Sequence, residues 1–194
     1  MKKVAIKLGR QDIAILKALQ RDGRMSNRDL AKSVSLSPSP SWRRLRALEE
    51  AGVIDHYAAV LDREKVGLSI LGFAHVSLHD HYAGTVAKFD RAIMRAPQVL
   101  ECHATSGDYD YMLKIVAPDM ASYQDFLSGY LLKIGVVRTV NTSFALKQQK
   151  NTTVLPLDEL EELPGIRQRA GSQPTVLSAR PSWRLLAWQF PCRL

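Results

Sequence analysis

Apolar positions along the first quarter of the chain recur at helical spacing. Ile13, Leu16 and Leu19, flanked by Ile15, mark one helix, with Gly23 as its stop. Ser26 is placed to cap a second helix, with Asp29 three residues on as an acidic capping-box partner and Leu30 and Val34 turned inward. After the polar turn Ser35-Leu36-Ser37, Ser37 caps a third helix that opens on Pro38 and runs to about Ala51. Gly52 is its natural C′ residue. A supporting helix, then helix, tight turn and helix, is a helix-turn-helix arrangement.

From Val53 the period changes. Val53 to Leu61 reads as extended and Asp62 to Gly67 as a polar connection. Ile70 to Leu78 is predicted as a strand, and Ala83 to Ala96 as a helix that buries Val86, Phe89 and Ile93 and stops at Pro97. Val99 to Ser106 alternates, with Leu100, Cys102 and Ala104 on one face and Glu101, His103 and Thr105 on the other. A tight turn at Gly107-Asp108 leads into Tyr109 to Val116, so the two strands form a hairpin. Ser122 to Ile134 carries one apolar stripe of Tyr123, Phe126, Leu127, Tyr130, Leu131 and Ile134, and Val136 to Leu146 closes as a strand.

The order β-α-β-β-α-β is the ferredoxin-like split βαβ arrangement, so the chain as a whole is α+β. Two helices cover one face of such a sheet. The other face is left needing a partner, and a homodimer is expected. The boundaries expected are 1–56 for the helix-turn-helix, 57–67 for a hinge and 68–156 for the βαββαβ domain. Residues 157–194 show no sustained period and read as a poorly ordered tail.

Charge sharpens this division. The 194 residues carry 27 Lys and Arg against 19 Asp and Glu, a net +8, and the 46% hydrophobic content excludes a wholly disordered chain. Residues 1–55 hold twelve basic and six acidic side chains, whereas 56–156 hold ten and nine. A basic module joined to a neutral one suggests that the first part binds a polyanion and the second has another task. No apolar run approaches a bilayer span, the charged N-terminus lacks an extended hydrophobic region, and Cys102 and Cys192 make no disulfide or zinc framework. A cytoplasmic protein with no membrane partner is expected.

Catalytic motifs are missing: there is no G-x-S-x-G elbow, H-E-x-x-H, phosphate-cradling G-x-x-x-x-G-K-[ST] or G-x-G-x-x-G. Neither an enzyme nor a bound cofactor is expected. His79-Asp80-His81 and Glu101-Cys102-His103 could be imagined around a metal, but strand neighbours point to opposite faces, and no metal is expected there. The third helix is more informative. Leu45 and Leu48 define its buried side, which Ser41 also faces, while Ser39, Arg43 and Arg46 lie opposite with Trp42 and Arg44 flanking. Arginines there can bond guanine edges or clamp phosphates, and serines can reach either. The candidate contacts to double-stranded DNA are Asn27, Ser37, Ser39, Ser41, Trp42, Arg43, Arg44 and Arg46.

Ser106-Gly107-Asp108-Tyr109-Asp110-Tyr111 has two readings. It is an ordinary acidic hairpin turn, or its carboxylates and backbone N–H groups receive a zwitterion at the mouth of the sheet.

These residues resemble the Lrp/AsnC family, the leucine-responsive or feast/famine transcription regulators. The resemblance runs through Leu8-x-x-x-Asp12-x-x-Ile15-Leu16, Gly23-Arg24-Met25-Ser26-Asn27, Leu36-Ser37-Pro38-Ser39-Pro40 and Arg44-Leu45-x-x-Leu48-Glu49-x-x-Gly52-Val53-Ile54. It continues in Glu101-Cys102-His103-x-x-Ser106-Gly107-Asp108-Tyr109-Asp110-Tyr111, Pro118-Asp119-Met120 and Thr152-Thr153-x-Leu155-Pro156-Leu157. It implies an N-terminal winged-type helix-turn-helix, and a C-terminal βαββαβ regulatory domain whose dimers assemble further, for example to octamers. It also implies an amino-acid effector held at subunit interfaces by Gly107, Asp108, Tyr109, Asp110, Met120 and Ser143. The function expected is sequence-specific transcription regulation modulated by that effector. An architectural, nucleoid-type DNA-binding protein with little ligand response is the alternative.

Overall fold

The computed structural model describes residues 8–158, and readings placed on 1–7 or 159–194 lie outside the described residues. The described chain forms two compact units, one reaching to Ala59 and including the segment from Lys150, the other spanning Val60–Gln149.

The first unit consists of α1 (Arg10–Arg21), α2 (Asn27–Ser33) and α3 (Pro38–Glu50) around a core of Ile13, Ile15, Leu16, Leu30 and Leu48. Helix α1 leaves at an extended Asp22, whose carboxylate accepts the Arg24 N–H at 2.9 Å. Gly23 follows at the position after the cap, as expected, but without the positive φ of a glycine cap. Helix α2 has the expected N-cap, with Ser26 Oγ accepting the Asp29 N–H at 3.2 Å, but Asp29 Oδ2 accepts the Ser26 hydroxyl at 2.6 Å in place of the backbone N–H of a capping box.

The helix-turn-helix turn is a Schellman motif. The Leu36 N–H reaches the Ala31 carbonyl at 2.9 Å, the Ser35 N–H reaches that of Lys32 at 3.2 Å, and Ser35 takes φ +54° where glycine is usual. Helix α3 closes the same way, with Val53 N–H on Leu48, Gly52 N–H on Glu49, and Gly52 at φ +67°. At its other end Ser37 holds the N-cap position, but its side chain makes no cap bond; Pro38 at N1 leaves one orphan donor fewer there. Val53 to Leu61, expected to be extended, bends at Val53 and Ile54, whose N–H groups both reach the Leu48 carbonyl, and the segment joins no strand ladder.

The start of the tail at residue 157 needs correction. Leu157 is 9% exposed and packs in the α1–α3 core. The Leu155 N–H donates to Gln20 Oε1 at 2.6 Å, its carbonyl accepts from Gln20 Nε2 at 3.3 Å, and Asp158 pairs with Lys17. The short run Val154-Leu155-Pro156-Leu157 is too brief to set a period, so packing against a helix more than 130 positions earlier was invisible to periodicity.

The second unit is an antiparallel sheet in the order β2-β3-β1-β4, built from β1 (Ile70–Leu78), β2 (Val99–Ala104), β3 (Tyr111–Ala117) and β4 (Val137–Phe144). Helices α4 (Ala83–Ile93) and α5 (Met120–Phe126) cover one face. Ala74, Val76, Leu113 and Ile115 meet Phe89, Ile93, Tyr123 and Phe126 there, with Phe89 4.6 Å from Tyr111 ring to ring. Helix α4 stops at Ile93, short of Ala96, because the residue before Pro97 avoids the helical region.

The helix expected over 122–134 is not uniform. After Phe126 it widens into a π turn over Leu127–Leu131 and tightens into a 3₁₀ turn over Leu132–Ile134. The buried residues Tyr123, Phe126, Leu131 and Ile134 are spaced three, five and three apart, so the wide turn keeps the stripe on the sheet where a continuous α-helix would rotate it away.

Candidate nucleic-acid interface and ligand site

One turn after another, α3 presents Ser39, Trp42, Arg43 and Arg46 to solvent, on an arc opposite Ser41, Leu45 and Leu48. Trp42 is 53% exposed, large for an indole. The Arg46 guanidinium lies 5.7 Å from the Trp42 ring centroid and donates to Glu49 at 3.2 Å. Glu49 in turn accepts the Tyr57 hydroxyl at 3.1 Å. Partial burial, the bond to Glu49 and its negative charge push the Tyr57 phenol above its ordinary pKa, so it remains a donor. Sequence reasoning missed Glu49 and Tyr57. The i,i+3 spacing of Arg46 and Glu49 was the signal available for the first; nothing local pointed to the second.

Three residues named above as DNA contacts are engaged elsewhere. Ser41 is 0% exposed and its hydroxyl finds no partner among the described residues, because it faces the core beneath α3. Asn27 donates from Nδ2 to the Pro38 carbonyl at 3.3 Å, fastening the start of α2 to the start of α3. Arg44 donates to Asp12 at 2.9 Å, while the other Asp12 oxygen accepts the Gly9 N–H at 2.9 Å. Ser37, Ser39 and Arg43 remain exposed.

In the second unit the hairpin is wider than a two-residue turn. Strands β2 and β3 stop at Ala104 and Tyr111, and the loop between them is closed by the Thr105 N–H on the Asp110 carbonyl at 2.9 Å and by Thr105 Oγ on the Tyr109 carbonyl at 2.7 Å. Gly107 sits at its tip with φ +129°. The strand expected from Tyr109 begins only at Tyr111, and Tyr109 and Asp110 belong to the loop. Tyr109 packs against His75, ring centroids 5.1 Å apart and tilted by 39°, and its hydroxyl accepts from Asn141 at 3.4 Å, so its ring lies over the sheet face away from the helices, not on the side of Tyr111.

Asp110, one of the carboxylates read above as open to a zwitterion, is already bonded within the chain. It accepts the Leu78 N–H at 2.7 Å and meets His81 Nε2 at 2.7 Å. Burial opposes its ionisation, but His81, the Leu78 N–H and the charge of Arg138 outweigh it and hold the carboxyl below its usual pKa. Asp108 is exposed at the loop tip.

Met120 lies beyond the far end of β3, roughly 20 Å from the hairpin at ~3.3 Å per strand residue. Ser143 on β4 is level with Phe73 and Lys114, also away from the loop. One chain therefore does not bring the six candidate effector residues together. Across the open face, Lys114 donates to Glu101 at 2.7 Å and Glu101 meets His103 at 3.2 Å; the Lys114 and His103 bonds hold the Glu101 carboxyl below its ordinary range. Among the described residues no group of three His, Cys, Asp or Glu side chains could hold a metal, and no helix is long and apolar enough to cross a membrane.

Comparison with known proteins matches both units. Residues 8–55 fit the winged helix-turn-helix DNA-binding model, and residues 71–155 the Lrp/AsnC ligand binding domain. The chain is 43% identical over 150 residues to the Bkd operon transcriptional regulator of Pseudomonas aeruginosa, covering 77% of this chain and 98% of that one. It is 37% identical over 148 residues to the leucine-responsive regulatory protein of Escherichia coli, covering 76% and 90%. A transcriptional regulator of Neisseria meningitidis, solved as a complex with L-Met, superposes with a TM-score of 0.76 at 40% identity, covering 79% of this chain and 99% of the other. These relatives are transcription regulators, not enzymes.

Proposed function

The chain belongs to the Lrp/AsnC family of transcription regulators, with a helix-turn-helix for DNA and a ligand-binding domain, and from that premise we propose that an amino acid modulates its DNA binding or its assembly. The observation that carries the DNA half is the α3 arc of Ser39, Trp42, Arg43 and Arg46, displayed opposite a buried Ser41 and Leu48. Such an arc, entering a major groove, offers bidentate donors for guanine and hydroxyls for phosphate or base. Ser37 at the helix start adds a phosphate contact.

The open sheet face, with Phe73, His75, Met112 and Lys114 partly covered, is where a second copy docks to form a homodimer, and dimers assemble further. An amino-acid ligand fits at subunit boundaries. There the loop Gly107, Asp108, Tyr109 and Asp110 of one chain can meet Met120 and Ser143 of another, which a single chain holds apart. The L-Met complex of the Neisseria meningitidis regulator supports an amino acid as the ligand class. Binding only the assembled form, the ligand shifts the population toward it.

The test is gel shift and light scattering of the full chain with selected duplex DNA, across a panel including L-methionine and L-leucine. A change in apparent affinity or particle size with at least one amino acid is expected. A flat response to all of them would refute the effector half and leave DNA binding standing.

A further inference from the structure

Trp42 and Arg46 stand one turn apart on α3, and two restraints fix the arginine. The indole lies beneath its guanidinium at 5.7 Å, within cation–π range, and Glu49, itself bonded to Tyr57, takes one Nη1 hydrogen. The remaining guanidinium donors stay available. A planar fork already held in one orientation loses less freedom when it bonds, and its bidentate match in a major groove is guanine O6 and N7.

Trp42 keeps 53% of its surface in water, in the midst of a basic arc. Only one base edge in the major groove offers an apolar group to such a side chain: the C5-methyl of thymine. The geometry points to Trp42 as the reader of a thymine methyl and to Arg46 as the reader of an adjacent guanine, the cation–π pair selecting that step as a unit. This rests on the reading that α3 enters a major groove.

The full chain is used to select duplexes from a random pool at fixed salt, and each thymine of the selected site is then replaced by dU, which removes only the methyl. At one thymine beside a guanine, wild-type binding weakens about fourfold, the worth of one buried methyl-sized group. Trp42→Ala binds the dT and dU duplexes equally. Arg46→Lys keeps the salt dependence but loses preference for the neighbouring guanine, since a lysine cannot bond in fork geometry. Indifference to dU at every position, or a Trp42→Ala chain that still distinguishes dT from dU, overturns the assignment while the chain still binds a selected site. A pool with no sequence preference at all removes the groove reading, and the assignment with it.

Discussion

Arg44 donates from Nη1 to Asp12 Oδ1 at 2.9 Å, joining α3 to α1 through a half-buried pair, while Arg43 beside it remains in solvent. Adjacent arginines on one helix therefore have different tasks. Arg44→Ala is expected to cost about 1 kcal/mol of stability, as a partly shielded charged hydrogen bond does. Arg43→Ala should leave melting unchanged and weaken binding to a selected duplex by about 1–3 kcal/mol if it meets a base edge. Paired melting and gel-shift measurements check this. Equal stability loss in both variants would contradict the division.

Ser35 occupies the left-handed position of the turn between α2 and α3 at φ +54°. An L-residue there is strained by its Cβ, and glycine is not. Ser35→Gly should stabilise the first unit by about 0.5–1 kcal/mol without altering DNA affinity, read by thermal melting. An unchanged or lower melting point would mean that the Ser35 side chain contributes something the turn needs.

Leu157 belongs to the first unit. It fills the α1–α3 core, and Gln20 bonds both polar atoms of the Leu155 backbone. Leu157→Ala should destabilise that unit by about 2 kcal/mol, at the low end for a buried leucine because Leu157 is at the rim. Deleting Pro164 to Leu194 should leave melting and DNA binding intact. Early melting of that truncated chain would show that tail residues support the fold.

The elements that sequence disclosed are those whose signals are local. Ser26 with Asp29, Pro38 and Gly52 each specify their conformation within a few residues. What sequence did not disclose depends on partners distant along the chain. Arg44 looked like its neighbour Arg43 until Asp12, 32 positions earlier, was seen to hold it. Asp110 looked like a carboxylate in need of a cation until Leu78 and His81 were seen around it. The π turn after Phe126 hid for another reason: Leu127 and Tyr130 fill the gap between Phe126 and Leu131, so the sequence reads as one regular apolar stripe.

Asp110 also makes a pH prediction with a definite sign. Its folded pKa lies below the unfolded value of about 3.9, so its contribution is fully present above that value and lost as pH falls through the folded pKa. Asp110→Asn should melt below wild type at pH 7, and the gap should close as the pH drops beneath about 4. A gap independent of pH would show that the Leu78 and His81 bonds do not depend on the charge. Because the residue supports the sheet, its loss is expected to lower stability first and ligand response second.

The ligand site is tested best by mixing subunits. Asp108 lies at the hairpin tip and Met120 beyond the opposite end of β3, so a site using both is made by two chains. Asp108→Ala and Met120→Ala should each abolish the amino-acid response when present in every subunit, while leaving the melting point close to wild type, since both side chains are exposed. When the two variants are unfolded together and refolded as a mixture, some boundaries will pair an intact hairpin from the Met120→Ala chain with an intact Met120 from the Asp108→Ala chain. Those boundaries are whole. The mixture should therefore regain part of the response in light scattering and gel shift, although neither parent shows any. A site held within one chain has no such route, because every subunit in the mixture carries a lesion in its own copy. Recovery in the mixture places the ligand between subunits, and its absence from well-mixed oligomers would refute the composite site.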